Sequence, residues 1–188
     1  MANELKYGDA VTLQNGFASW TGGYLEVNGP GPSSPGYEVD TASTATCEGL
    51  SGTWKIASAS GKADGATVTS GDLVFLVSQY NNSTPSYLDV SGGAGYNSGK
   101  YSVSASGKQN REGYSGEWFL FAETSSTQDG AIRTGDVVHI LSNYGTANGG
   151  WLEIMGGAPA PATGLHGVYT NAYANRDNGS GSWRFARA

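Results

Sequence analysis

Residues 51–54 read SGTW, residues 115–118 read SGEW and residues 180–183 read SGSW. The tryptophans are separated by 118 − 54 = 64 and 183 − 118 = 65 residues. A four-residue word therefore recurs once in each third of this chain, and other columns keep the same period. Gly-Asp occurs at 8–9, 71–72 and 135–136. An aromatic-Leu pair follows at Tyr24-Leu25, Tyr87-Leu88 and Trp151-Leu152, each followed by an acid and a β-branched residue: Glu26-Val27, Asp89-Val90 and Glu153-Ile154. An aliphatic precedes each Gly-Asp (Leu5, Val68, Ile132), and a valine precedes each motif tryptophan (Val39, Val103, Val168). Agreement of this many columns at one period marks internal repetition, which outranks any local structural reading.

Each unit carries four short segments rich in β-branched and aromatic residues, which favour extended chain. They are AVTL, YLEV, YEV and TWKIA in unit one; LVFL, YLDV, YSV and EWFLFA in unit two; VVHI, WLEI, HGV and SWRFA in unit three. Turn-formers separate them, as in NGPGPSSPG (28–36), SGGAGYNSG (91–99) and MGGAPAPATG (155–164). No segment pairs a 3.6-residue apolar period with helix caps. A three-unit solenoid would need polar end caps, yet unit three ends in a strand segment, so the units are expected to close on one another.

Three closed units of four strands resemble the β-trefoil superfamily over the whole chain. The Gly-Asp-x-Val-x-Leu … Tyr-Leu … Gly-x-Trp pattern is similar to ricin-type-lectin-like, MIR-like and fascin-like repeats, and no single family is assigned. The resemblance implies an all-β fold with pseudo-threefold symmetry: one domain over 1–188, with repeats of about 1–62, 63–126 and 127–188. A six-stranded barrel capped by three hairpins is the expected form, with Trp54, Trp118 and Trp183 at one buried barrel position. Ricin-type lectins carry Gln-x-Trp where this chain has Gly52, Gly116 and Gly181, so their sites do not transfer directly.

The bulk numbers exclude several classes. A net charge of −6 repels phosphate backbones, so nucleic acid is not an expected partner. No apolar run is long enough to cross a membrane, and no secretory signal is visible, so the chain as given is expected in the cytoplasm, with unconventional export left open. The one cysteine, Cys47, precludes an internal disulfide and reads as a small buried apolar residue. No Gly-x-Ser-x-Gly, His-Glu-x-x-His, Cys-x-x-Cys or phosphate loop occurs. Neither catalysis, a cofactor nor a metal is therefore expected. His139 and His166 read as packed wall residues, and Asp9, Asp72 and Asp136 as turn acceptors.

Two column sets remain as candidate ligand sites. Before the motif tryptophan stand Asn110-Arg111-Glu112 in unit two and Asn175-Arg176-Asp177 in unit three, against Thr46-Cys47-Glu48 in unit one. Planar amide, guanidinium and carboxylate groups side by side can clasp sugar hydroxyls, or they can build a turn. The loop between the first two strands of each unit carries Phe17, Tyr80 and Tyr144 in one column, with Trp20 as an extra in unit one. Aromatics beside amides suit ring stacking on a sugar, and they suit plugging a barrel end equally well. The leading expectation is a non-enzymatic, multivalent carbohydrate-binding protein with up to three related shallow sites, neutral sugars favoured. The alternatives are a protein-interaction trefoil, such as a protease inhibitor acting through a Pro/Gly-rich loop (29–36 or 156–164), and the receptor-binding module of a toxin or defence protein. The oligomeric state is not legible.

Overall fold

The computed structural model describes residues 3–31, 36–80, 85–124, 127–156 and 164–188. Among them the chain is all-β, with twelve strands in one sheet. Unit one supplies β1 (Ala10–Asn15), β2 (Tyr24–Pro30), β3 (Gly36–Ala42) and β4 (Trp54–Ser58). Unit two supplies β5 (Leu73–Ser78), β6 (Ser86–Gly93), β7 (Gly99–Ser106) and β8 (Trp118–Ala122). Unit three supplies β9 (Val137–Ser142), β10 (Gly150–Met155), β11 (Gly167–Asn171) and β12 (Trp183–Arg187). Two four-residue turns, Phe17–Trp20 and Tyr144–Ala147, follow β1 and β9; positive φ at Ala18, Ser19, Gly145 and Thr146 keeps both from being regular helix.

The sheet closes on itself. β1 pairs β4, β4 pairs β5, β5 pairs β8, β8 pairs β9, β9 pairs β12 and β12 returns to β1, every pair antiparallel. The hairpins β2–β3, β6–β7 and β10–β11 join one another through β3–β7, β7–β11 and β11–β3. Closure removes the exposed edges that an open sheet would present.

The repeated aliphatic column explains how one end of the barrel is sealed. Leu5 N–H donates to Ile132 O (2.8 Å), Val68 N–H to Leu5 O (2.9 Å) and Ile132 N–H to Val68 O (2.9 Å). This cyclic trio ties the three units by backbone alone, and all three side chains are fully buried. The Gly-Asp pairs act as turns, as their position suggested. Asp9, Asp72 and Asp136 each accept the backbone N–H three residues earlier, from Lys6, Thr69 and Arg133, at 2.8–2.9 Å. The preceding glycines sit at φ +92°, +92° and +88°, and donate to Ile56, Leu120 and Phe185 carbonyls of the fourth strands. A β-carbon is disfavoured in that backbone region. Gly135→Ala, which faces open space, is therefore expected to cost about 1–2 kcal/mol through backbone strain alone, read by denaturant unfolding.

Trp54, Trp118 and Trp183 are wholly buried. Each indole N–H donates to the carbonyl of the repeated leucine of its own unit: Leu25 at 2.9 Å, Leu88 at 2.8 Å and Leu152 at 2.9 Å. The core around them is the expected repeated set, including Val27, Val90, Ile154, Ile56, Leu120 and Phe185. Cys47 departs from expectation. It is half-buried rather than core, its thiol donating to Thr44 O at 3.1 Å in a solvent-facing loop.

Candidate functional site

The serine and glycine of the repeated word have separate physical reasons. Ser51 Oγ donates to Glu26 (3.0 Å), Ser115 Oγ to Asp89 (2.6 Å) and Ser180 Oγ to Glu153 (3.2 Å). The carbonyls of the same serines accept Val27, Val90 and Ile154 N–H, each at 3.1 Å. The turn is thus stitched to the second strand by side chain and backbone together. The glycine is a close approach: a β-carbon at Gly116 or Gly181 would run into the carbonyl oxygen of Gln109 or Ala174, and one at Gly52 would lie 3.0 Å from Ala45 O. The repeated acid on the second strand is the residue that sequence reasoning passed over as a partner for this motif. Its signal was present, since it keeps the same period as the tryptophan.

The candidate arginines lie on these acids. Arg111 reaches Asp89 through Nη2 (3.1 Å) and Nε (3.3 Å), and donates to Val90 O at 2.7 Å. Arg176 Nε meets both Glu153 oxygens at 3.2–3.3 Å. Asp89 and Glu153 are fully buried beneath them. Burial raises the Asp89 carboxyl above its ordinary range, while Ser115 and Arg111 pull against that rise. Glu153 has further partners: Asn171 Nδ2 at 2.9 Å and the Tyr96 hydroxyl, delivered from the unit-two hairpin, at 2.5 Å. Burial, then the hydrogen bond to Glu153, keeps Tyr96 well above the usual phenol range, so it remains a donor.

The flanking candidates are arranged more loosely. Glu112 and Asp177 are exposed and pair with their neighbouring arginines at 3.5 and 2.9 Å. Asn110 is held by Glu117 (2.8 Å) and accepts Gly116 N–H, and Asn175 accepts Gly179 N–H. Both amides therefore brace their own hairpins.

The loop aromatics pair across unit boundaries. Tyr80 meets Tyr37 (5.2 Å), Tyr144 meets Tyr101 (5.0 Å) and Phe17 meets His166 (5.7 Å), all edge to face. Each pair joins one unit to the preceding one in the cycle, a geometry worth about 0.5–1.5 kcal/mol beyond the area it buries. Trp20 stacks on the guanidinium of Arg184, 3.6 Å from its ring centre, which accounts for the aromatic that unit one alone carries. Among the described contacts His139 makes one hydrogen bond, Nδ1–H donating to Gly181 O at 2.9 Å, and its ring lies against Trp151. The proline-rich loops considered for protein contact fall outside the described residues over 32–35 and 157–163.

Unit three presents a groove of about 190 Å³ lined by Phe17, Ile154, Met155, His166, Arg176 and Asp177. It joins parts of both candidate column sets, the loop aromatic Phe17 and the pair Arg176 and Asp177, and these come from different units. Among the described residues, no group of three or more His, Cys, Asp or Glu side chains could hold a metal ion, and no helix is long and apolar enough to cross a membrane.

In unit one the arrangement changes. Cys47 stands where the arginines stand, and Asp40 lies directly across the strand pair from Glu26. Asp40 is fully buried, accepting from Asn28 Nδ2 (2.9 Å) and Gly164 N–H (3.0 Å). Burial pushes its carboxyl up to about 6, with the Glu26 charge adding to the rise. A folded-state pKa above the unfolded one means that folding is penalised above about pH 6 and relieved as pH falls from there toward about 4. Asp40→Asn is expected to stabilise the protein at pH 7.5 and to flatten its stability profile between pH 4 and 6, measured by urea unfolding at each pH.

No protein-family model matches the chain, and no curated protein matches it. Solved structures do. The SDF2-like protein from Arabidopsis thaliana superposes with a TM-score of 0.71 at 18% identity, covering 97% of this chain and 94% of that one. A Caenorhabditis elegans protein of unknown function gives 0.73 at 14%, covering 98% and 97%. The binding domain of botulinum neurotoxin serotype D gives 0.66 at 15%, covering all of this chain and 44% of that one. At such identities the likeness is one of fold, and the fold is β-trefoil-like.

Proposed function

We propose that the chain is a non-enzymatic carbohydrate-binding β-trefoil, a single domain over 1–188 with repeats of about 1–62, 63–126 and 127–188, presenting up to three related shallow sites of which unit three is the best formed. The observation that carries this reading is the groove at the unit three–unit one boundary. Phe17 and His166 give it an aromatic wall. The exposed Asp177 carboxylate offers acceptors to sugar hydroxyls, and the outer edge of Arg176 offers donors. At about 190 Å³ it is smaller than the roughly 300–1,000 Å³ of drug-sized sites, a scale suited to one terminal sugar ring. Shallow sites of this kind gain affinity through repetition on one rigid body. Neutral sugars fit best, because the net charge of −6 disfavours acidic ones. The binding domain of a neurotoxin among the structural neighbours is consistent with recognition rather than turnover.

Asp177 is exposed and its side chain pairs only with Arg176 among the described contacts, so Asp177→Ala separates binding from folding. It is expected to weaken a neutral sugar about tenfold, the loss of one charge-assisted contact, with the melting temperature nearly unchanged. Undiminished sugar affinity in this variant would place the site elsewhere.

A further inference from the structure

Units two and three bury an acid beneath an arginine, and unit one does not. Cys47 occupies the arginine column, seven residues before its tryptophan as Arg111 and Arg176 are before theirs; its thiol donates to Thr44 O and lies beside Glu26, but it carries no charge to balance that acid. The consequence is visible in exposure: Asp89 and Glu153 are sealed under guanidinium groups, whereas Glu26 is only half-buried. Unit one also carries a second carboxylate, Asp40, directly opposite Glu26, where the other units have Ser104 and Tyr169. Asp40 Oδ2 has two donors, yet Asp40 Oδ1 is buried with no hydrogen-bond donor among the described residues. A buried carboxylate oxygen without a donor is costly, and two facing acids without a cation are costlier.

We propose that unit one is a receptor site for an organic cation of the guanidinium type, which enters the position held in the other units by Arg111 and Arg176 and bridges Glu26 and Asp40 Oδ1. The planar fork of a guanidinium suits two carboxylates better than a point charge does, and the same fold already seats that group twice on the equivalent acid. The side chains that set the site are Glu26, Asp40, Ser51 and Cys47, with the Gly164 amide reporting on Asp40.

The test is a titration of the ¹⁵N-labelled protein with methylguanidinium chloride at pH 7.5, against sodium chloride at equal ionic strength. Saturable shifts are expected at the amides of Gly164, Val27 and Ser51, and not at Val90 or Ser115 of unit two. Asp40→Asn, which keeps size and shape, is expected to weaken the apparent affinity about tenfold or more. Cys47→Arg supplies the cation from within and is expected to abolish the response. A peptide with a central arginine binding more tightly than methylguanidinium would assign the cation to a protein side chain, and equal affinities would assign it to a small molecule. Shifts that do not saturate, that appear equally in unit two, or that survive Asp40→Asn unchanged would overturn the proposal. A blank with every sugar leaves this site untouched, since it shares no residue with the groove.

Discussion

Trp118→Ala is expected to destabilise the protein by about 3–5 kcal/mol, the range for deleting a large buried aromatic. For a chain of this length that corresponds to a fall in melting temperature of roughly 6–20 °C. Two losses add in this substitution: the apolar area of a fully buried indole, and the donor that satisfies Leu88 O at 2.8 Å. Trp118→Phe separates them. It keeps most of the apolar contact and strands the carbonyl, so it is expected to cost about 1–3 kcal/mol. The same pair of substitutions at Trp54 and Trp183 should give similar values, because each indole makes the same bond at the same place. Differential scanning calorimetry reads all six. A loss below about 1 kcal/mol for Trp118→Ala would mean that the repeated tryptophan is not what anchors the units.

Arg111→Ala is the second large effect, and its sign of success is stability rather than binding. The substitution leaves Asp89 fully buried with one serine donor and no cation. Breaking a buried pair from one side costs about 3–5 kcal/mol, and the partial exposure of Arg111 places the expectation near 3 kcal/mol. Asp89→Asn in the same background should recover part of the loss, since it removes the stranded charge. Arg176→Ala should cost less, because Glu153 retains Tyr96, Asn171 and Ser180. If Arg111→Ala instead left urea unfolding unchanged while sugar binding disappeared, the arginine would be a ligand-contacting group and not a clasp.

These two expectations show what the sequence makes legible and where it falls silent. The period carried the architecture, because threefold repetition places equivalent residues in equivalent environments: the tryptophans, the Gly-Asp turns and the Leu5, Val68 and Ile132 trio all sit where one column predicts. The all-β content followed from strand-forming segments punctuated by glycine and proline. The site was harder to read, since its parts lie on different units. Asn110-Arg111 and Asn175-Arg176 read as turn builders or as sugar clasps, and the deciding partner, an acid more than twenty residues earlier, is visible only once β6 and β10 are placed beneath the hairpins. Phe17 meeting His166, and Trp20 meeting Arg184, are contacts between the first and last units that no local spacing encodes. Asymmetry is the more informative signal: Cys47 in an arginine column sets unit one apart in the sequence itself.

The measurement that bears most directly on the whole account is a glycan array with the purified protein, followed by calorimetric titration of the best ligand against the wild type and Asp177→Ala. Saturable binding of a neutral terminal sugar is expected at one to three equivalents per chain, weakened by Asp177→Ala with no loss of fold. An array blank for neutral and acidic glycans alike would contradict it, leaving the repeated Ser-Gly-x-Trp as architecture alone.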